Sequence, residues 1–323
     1  MFPSIIDVAV SNRQQGALLS HLREEQERST LWRPRKRWEP LPKATPVHLR
    51  VVSTLTICQE SEMKSFKVWS LKLTLLFAAI CATYSRPAFA QTVPTTVILV
   101  HGAFADGSSW NRVIPLLQAQ GLKVVAVQLP LSSLAADVAA TKRAITAQTG
   151  PIILVGHSWA GVVITEAGVD DRVKALVYVS AFAPSEGQSA GEMGKPYPTP
   201  PGLLHPIADS SGYLTLSPGD IAKHFAPDVP AAESNLLAVT QGPIRAANFD
   251  EPVSAAAWKT KPSWLIAGEQ DQMIDPALYK AEAEKIHAKA TWLASGHVPM
   301  LSHPDAVTAV IVEAAHSIAR SSR

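Results

Sequence analysis

The stretch Gly156-His157-Ser158-Trp159-Ala160-Gly161 follows the apolar run Pro151-Ile152-Ile153-Leu154-Val155 and precedes Val162-Val163-Ile164-Thr165-Glu166-Ala167. An apolar run of this length, bounded by glycine, predicts a buried parallel strand, and the residues after the stretch have helical spacing. A serine at a sharp turn from strand to helix is lifted clear of the sheet with its hydroxyl exposed. The sequence therefore predicts Ser158 as a nucleophile. The usual pattern is G-x-S-x-G, and here Ala160 takes the fifth position, with glycine following at 161.

The chain after Gln91 alternates apolar runs with helical patterns, which predicts an α/β fold with a mostly parallel, doubly wound sheet. Strands are predicted at 97–100, 122–129, 152–155, 173–179, 263–267 and 290–293. Helices are predicted at about 110–120, 133–148, 276–288 and 305–319, with Ser133 as an N-cap. From about 184 to 258 the chain is dense in proline and glycine, with short helical patches and no strong strand. Such a stretch predicts an inserted cap that roofs a pocket.

The first 90 residues have the pattern of a leader. Lys64 and Lys67 precede an apolar run at 73–83, and Ala88-Phe89-Ala90 stands before Gln91. This pattern predicts a secretory signal peptide at 63–90, cleaved near Ala90. The apolar run has roughly a dozen residues, fewer than the ~20 that cross a bilayer, so no stable membrane anchor is expected. Residues 1–62 are then an upstream or unstructured leader, and 91–323 an exported domain, periplasmic or secreted.

Charge and cysteine content change at the same boundary. Residues 1–90 hold 13 basic and 7 acidic side chains, whereas 91–323 hold 16 and 20. Without basic clusters, the predicted domain lacks the electrostatic pattern that binds nucleic acid. Both cysteines, Cys58 and Cys81, precede the predicted cleavage site. The predicted domain therefore has no disulfide, no cysteine-ligated metal and no cysteine nucleophile.

Four motifs stand directly after predicted strands. They are Val100-His101-Gly102-Ala103, the stretch from Gly156 to Gly161, Gly268-Glu269-Gln270-Asp271 and Gly296-His297-Val298-Pro299-Met300-Leu301. Over about residues 95–320 the chain resembles the alpha/beta hydrolase superfamily, in its small esterase branch of plant-type methylesterases, hydroxynitrile lyases and bacterial relatives. The resemblance implies Ser158 as nucleophile, Asp271 as orienting acid and His297 as base, in that chain order. It also implies an oxyanion hole formed by the backbone N–H groups of Ala103 and Trp159.

Other residues are alternatives for two of these roles. His303, before Pro304, is the alternative base, and Glu186, after the strand that follows the nucleophile, is the alternative acid. Glu269 and Asp275 share the loop of Asp271 and are expected to be solvated charges. His157 is expected to be a packed neighbour of the nucleophile rather than a proton shuttle.

The predicted chemistry is hydrolysis of a small-molecule carboxylic ester through an acyl-serine intermediate, with no cofactor and no metal. Hydroxynitrile lyases of this branch carry threonine where this chain has Gly102 and lysine where it has Val298, so both positions argue against cyanohydrin cleavage. Haloperoxidase-like, lactonase or amidase activity stays open, as does a non-catalytic ligand binder on the same fold. Trp159 beside the nucleophile, Phe104 and the proline-rich cap together predict a mostly apolar pocket of modest size, suited to short acyl or small aromatic esters.

Overall fold

A six-stranded parallel sheet forms the centre of residues 94–321, the part of the chain that the computed structural model describes. The strands are β1 Thr96–Val100, β2 Lys123–Val127, β3 Ile152–His157, β4 Val173–Val179, β5 Ser263–Gly268 and β6 Lys289–Leu293. Their spatial order is β2-β1-β3-β4-β5-β6, and every neighbouring pair is parallel. The predicted α/β class and parallel sheet are confirmed.

The composition of each strand matches its place in the sheet. The inner strands β1 and β3 are unbroken apolar runs with every residue buried, as expected where helices cover both faces. The outer strands β2 and β6 begin with lysine and are mostly half-buried or exposed. Charged, partly exposed outer strands discourage pairing with another chain.

Helices cover the sheet in two groups. The helices are α1 Val113–Ala119, α2 Leu134–Thr146, α3 Ala160–Ala167, α4 Pro276–Lys285 and α5 Pro304–Ser321. Helix α2 packs against α3, and α1 packs against α5. The chain runs from β1 outward to β2 and then returns past β1 to β3, so the direction of the crossovers reverses between β1 and β3. Such a switch point opens a crevice at the carboxyl ends of the two strands, where ligands bind in open α/β sheets.

Local signals decide where these helices begin and end. Ser133 caps α2 as predicted, because its side chain accepts the N–H of Ala136. Helix α1 begins later than predicted, since Gly107–Trp110 forms a separate 3₁₀ turn capped by Asp106. Helix α4 ends before residue 288, because His287 has a φ of 50° and leaves the helical conformation.

The region between β4 and β5, predicted as a cap, contains short elements. Its helical segments are Ala190–Gly194, Pro201–Leu203, Pro218–Asp220, Ile221–Phe225, Ala231–Thr240, Ala246–Asp250 and Ala257–Lys259. It also holds an antiparallel sheet of Ile207–Ala208, Tyr213–Thr215 and Ile244–Arg245, which the sequence did not indicate. Strands of two or three residues are too short to show an alternating pattern.

None of the helices within residues 94–321 combines the length and the apolarity needed to cross a bilayer. The predicted leader at 1–62 and signal peptide at 63–90 lie outside the described residues.

Candidate active site

Ser158 lies at the turn from β3 to α3 with a φ of 52°, a left-handed conformation that costs energy for any residue with a Cβ. The flanking glycines make this turn possible. A Cβ on Gly156 would lie 2.7 Å from the carbonyl oxygen of Ala160, and one on Gly161 would lie 2.1 Å from that of Phe182. Both positions therefore require glycine, whereas the methyl group of Ala160 is accommodated in the buried interior.

Asp271 and His297 form a buried pair at the neighbouring strand ends. Asp271 follows β5 and His297 follows β6, and the Oδ2 atom of Asp271 lies 2.7 Å from Nδ1 of His297. Both side chains are at most 1% exposed. The other carboxylate oxygen, Oδ1, accepts the N–H groups of Met273 at 2.7 Å and Ile274 at 3.1 Å. Hydrogen bonds from the loop thus fix the carboxylate as it faces the ring.

This contact defines which nitrogen of His297 is available for proton transfer. A carboxylate only accepts hydrogen bonds, so Nδ1 of His297 is the donor. In the neutral ring, Nε2 then carries a lone pair and can take a proton. Phe225 packs edge-on against the His297 ring, with centroids 5.3 Å apart, and so holds it from a second side.

Ser158 and His297 line the same cavity, which has a volume of about 210 Å³. Within residues 94–321 no hydrogen bond joins the Ser158 hydroxyl to His297, and such contacts often form only when substrate binds. The remaining wall is mostly apolar and comes from both the sheet loops and the cap. It consists of Ala103, Phe104, Phe182, Ala190, Gly191, Gly194, Tyr197, Pro198, Pro200, Leu203, Phe249, Met273, Ile274, Asp275 and Leu278.

The backbone N–H groups of Ala103 and Trp159 belong to the residues that surround the turn of Ser158. Gly102 packs so closely on the turn that a Cβ there would lie 2.7 Å from the Cβ of Ser158, which places the following residue, Ala103, next to the nucleophile. The N–H groups of Ala103 and Trp159 donate to no backbone or side-chain acceptor among residues 94–321. Trp159 is also the N-cap of α3, whose first N–H groups favour negative charge.

Comparison with known proteins agrees with this architecture. Residues 97–310 match the model of the alpha/beta hydrolase family. The chain belongs to that family. A hydrolase from Aspergillus novofumigatus, described as alpha/beta hydrolase nvfD, is 26% identical over 68% of this chain and 96% of its own length.

Solved structures with the same fold include relatives of the branch predicted from the sequence. A pyrethroid hydrolase from Sphingobium faniae JZ-2 aligns with a TM-score of 0.61 and 21% identity, over 70% of this chain and 99% of its own. Polyneuridine aldehyde esterase aligns with a TM-score of 0.61 and 17% identity, over 68% and 98%. The methylesterase MES16 from Arabidopsis aligns with a TM-score of 0.58 and 20% identity, over 69% and 99%. The predicted resemblance is confirmed at the level of the fold.

In this alpha/beta hydrolase the motif histidines other than His297 are buried and hold backbone segments together. His101 bridges β1 and the loop after β2, because its Nε2 accepts the N–H of Leu129 at 2.9 Å and its Nδ1 donates to the carbonyl of Gly102. His157 donates from Nε2 to the carbonyl of His297 at 3.0 Å. Burial lowers the pKa of both rings, that of His157 well below its usual value. Both are therefore neutral at pH 7, and His157 is the packed neighbour that was expected.

The prediction that the Trp159 side chain lines the pocket is wrong. The indole is fully buried away from the cavity, and its Nε1 donates to Oδ2 of Asp137 at 2.8 Å. Asp137 lies on α2, and its other oxygen accepts the N–H of Leu131 at 2.8 Å. Burial raises the pKa of Asp137 to about 6. The indole turns inward because it satisfies a buried carboxylate, and the backbone N–H of Trp159 alone remains beside Ser158.

The alternative acid and base lie apart from the Asp271–His297 pair. Glu186 is 59% exposed and pairs with Lys259, whose Nζ lies 2.9 Å from Oε2. His303 contacts the hydroxyl of Ser302 at 2.9 Å. In the Asp271 loop, Glu269 is exposed as expected, whereas Asp275 caps α4 by accepting the N–H of Ala277 and also borders the cavity.

The cap contributes to the cavity wall and to the support of His297. Tyr197 and Leu203 line the cavity, whereas Phe225 packs on His297 and Leu204 is exposed. Phe104 lies in the wall, with a φ of 57° that the sequence does not indicate.

Within residues 94–321, no group of three or more His, Cys, Asp or Glu side chains is arranged to hold a metal ion.

Glu282, on α4, is a buried carboxyl group close to the site. It is 1% exposed, its Oε1 accepts the N–H of Ala183 at 2.7 Å, and burial raises its pKa to about 8. Its pKa in the folded state lies above the ordinary 4.5, so folding favours the protonated acid. The contribution of Glu282 to stability is fully present below its pKa in the unfolded chain. It is lost as the pH rises through its pKa in the folded protein.

The unfolding free energy is therefore expected to decrease as the pH rises, and Glu282 should cause part of this decrease. Between about pH 5 and about pH 9, wild type should lose on the order of 3 kcal/mol more unfolding free energy than Glu282→Gln. Urea unfolding at the two pH values measures this difference, with exposed Glu284 on the same helix, changed to Gln, as the matched control. Equal losses in wild type and Glu282→Gln would contradict a neutral buried carboxyl group at this position.

Proposed function

We propose that this alpha/beta hydrolase is a serine esterase that cleaves small, uncharged carboxylic esters through an acyl-serine intermediate. The observation that carries the proposal is the buried contact of 2.7 Å between Asp271 and His297, with His297 and Ser158 on one cavity of about 210 Å³. An esterase and a methylesterase by name are among the solved structures with this fold, which supports ester hydrolysis.

In the first half of the proposed reaction, the hydroxyl oxygen of Ser158 attacks the ester carbonyl carbon and Nε2 of His297 takes the hydroxyl proton. Asp271 holds the ring in the reactive tautomer and stabilises the positive charge that it acquires. The carbonyl oxygen becomes negative and is bound by the N–H groups of Ala103 and Trp159. When the C–O bond breaks, the alcohol leaves with the proton from His297 and the acyl group stays on Ser158.

In the second half, a water molecule gives a proton to Nε2 of His297 and attacks the acyl carbon. The same two N–H groups bind the second oxyanion, and collapse returns the proton to Ser158 with release of the carboxylic acid. Every proton transfer uses His297, so the reaction needs no cofactor.

The local packing at Gly102 argues against cyanohydrin cleavage. A Cβ at this position would lie 2.7 Å from the Cβ of Ser158 and 2.9 Å from the carbonyl oxygen of His157, both too close for ordinary contact. The threonine that the related lyases carry does not fit this backbone. Val298, where those lyases carry lysine, is fully buried and offers no charge to the cavity.

A series of p-nitrophenyl esters of increasing acyl length tests the proposed substrate class. With the chain from Gln91 onward, kcat/KM should be highest for acetate to butyrate and should fall for octanoate and laurate, because the cavity of about 210 Å³ holds a short ester. Phenyl acetate should be preferred over 4-carboxyphenyl acetate, since among residues 94–321 no Lys or Arg lines the cavity and Asp275 borders it. A maximum at laurate, or no hydrolysis of any ester, would contradict the proposal.

A further inference from the structure

Tyr279 is a fully buried phenol on α4 that reaches the Asp271–His297 pair. Its hydroxyl lies 2.6 Å from Oδ2 of Asp271 and is the donor, since a carboxylate only accepts. The same oxygen accepts Nδ1–H of His297 at 2.7 Å. Burial first, and then the charge of Asp271, raise the pKa of Tyr279 well above its usual value, so it keeps its proton and stays a donor. One carboxylate oxygen thus serves two donors.

We propose that Tyr279 is a positioning residue of the catalytic site, which directs Oδ2 of Asp271 towards His297 and limits how strongly that oxygen holds the ring proton. This inference rests on the proposed function. Two donors divide the electron density of one oxygen, so each bond is weaker than it would be alone. With Tyr279 in place, the shared carboxylate oxygen orients His297 but holds its Nδ1–H less strongly than it would alone, so the pH profile should depend on the hydroxyl of Tyr279.

The other titratable groups around the pair are few. Glu282, one turn further along α4, is buried and neutral at pH 7 because burial raises its pKa to about 8, and Lys285 faces it from the same helix. From β3, the neutral ring of His157 lies 4.7 Å from that of His297. From the cap, Asp228 accepts the N–H of Gly296, and Asp275 borders the cavity. Removing the hydroxyl of Tyr279 leaves these groups in place, so a change in the pH profile reports on the bond to Asp271.

Substitution of Tyr279 by Phe tests the inference through its pH profile. We expect kcat for p-nitrophenyl acetate to fall about 10-fold with KM within about 2-fold, and the acidic limb of kcat/KM to move up by about half a pH unit. Tyr178→Phe is the matched control, because Tyr178 is also fully buried and its hydroxyl forms a hydrogen bond of 2.9 Å with Thr165 rather than with Asp271. The control variant loses a buried hydrogen bond, so its stability should fall. The acidic limb of its pH profile of kcat/KM should not move. An acidic limb in Tyr279→Phe identical to that of wild type would overturn the inference.

A second variant covers the case in which Tyr279→Phe does not fold. Fluorotyrosine at position 279 keeps the ring and strengthens the hydroxyl as a donor, so the acidic limb should move to lower pH, and an unchanged limb would again overturn the inference. The proton NMR signal of the His297 Nδ1–H group, measured without substrate, should also differ from that of wild type. If the signal shifts in the variant but the wild-type protein hydrolyses no ester, the contact between Tyr279 and Asp271 is supported and the proposed function is refuted. Failure of the inference and failure of the proposed function can therefore be told apart.

Discussion

Replacing Ser158 by Ala is expected to lower kcat for p-nitrophenyl acetate by about 10⁶-fold, because the acyl group then has no oxygen to which it can be transferred. The residual rate should come from the N–H groups of Ala103 and Trp159 and from substrate binding alone. The variant should fold as well as wild type, since the side chain of Ser158 makes no hydrogen bond among residues 94–321. Stopped assays of purified protein, with circular dichroism as the folding check, measure both quantities.

Ser234→Ala is the matched control for this substitution. Ser234 is also a buried serine, but it lies on the cap helix Ala231–Thr240 and its hydroxyl donates to the carbonyl of Ala231. Its loss should leave kcat unchanged. A Ser158→Ala protein that retains more than about one-hundredth of wild-type kcat would show that another group performs the attack.

Asp271→Asn is expected to lower kcat by about 10⁴-fold, because it would stabilise the tautomer of His297 that cannot act as a base. The N–H groups of Met273 and Ile274 donate to the Oδ1 position, so they would bind the amide oxygen of Asn and direct its NH₂ group towards His297. Nδ1 of His297 would then accept, Nε2 would carry the hydrogen, and the ring could not take the proton of Ser158. The overall fold should be retained, and the loss should appear in kcat rather than KM.

Glu186→Gln and His303→Asn are the controls for Asp271, because these were the alternative acid and base. Each should retain wild-type kcat, since Glu186 pairs with Lys259 at the surface and His303 contacts Ser302. A large loss in Glu186→Gln together with an active Asp271→Asn would transfer the role of the acid to Glu186.

The sheet and its motifs could be predicted because local sequence specifies them. The unbroken apolar run at 152–155 indicates a buried strand by itself, and Gly156 and Gly161 indicate the close contacts that the structure shows. The carboxyl ends of parallel strands meet at one edge, which agrees with the neighbouring positions of Asp271 and His297 that the family resemblance implies.

The features that sequence did not indicate depend on partners far along the chain. The direction of the Trp159 indole is set by Asp137, 22 residues earlier, and no local pattern links the two. Nothing in the local sequence distinguishes Tyr279 from other helical residues. Its contact with Asp271 follows from where the folded helix places the hydroxyl group. In the cap, Tyr213 pairs with Arg245 in strands too short to show a period. The signal peptide at 63–90, cleavage near Ala90 and export stay predictions.

The most direct test of the central claim is covalent labelling of the folded protein with a fluorophosphonate, followed by peptide mapping. We expect one phosphonyl group per chain, attached to Ser158, with labelling abolished in Ser158→Ala and strongly slowed in His297→Ala, because the probe reacts with a serine that has an adjacent base. It would be contradicted by a folded protein that is unreactive, as a non-catalytic binder would be, or by a label on a serine other than Ser158.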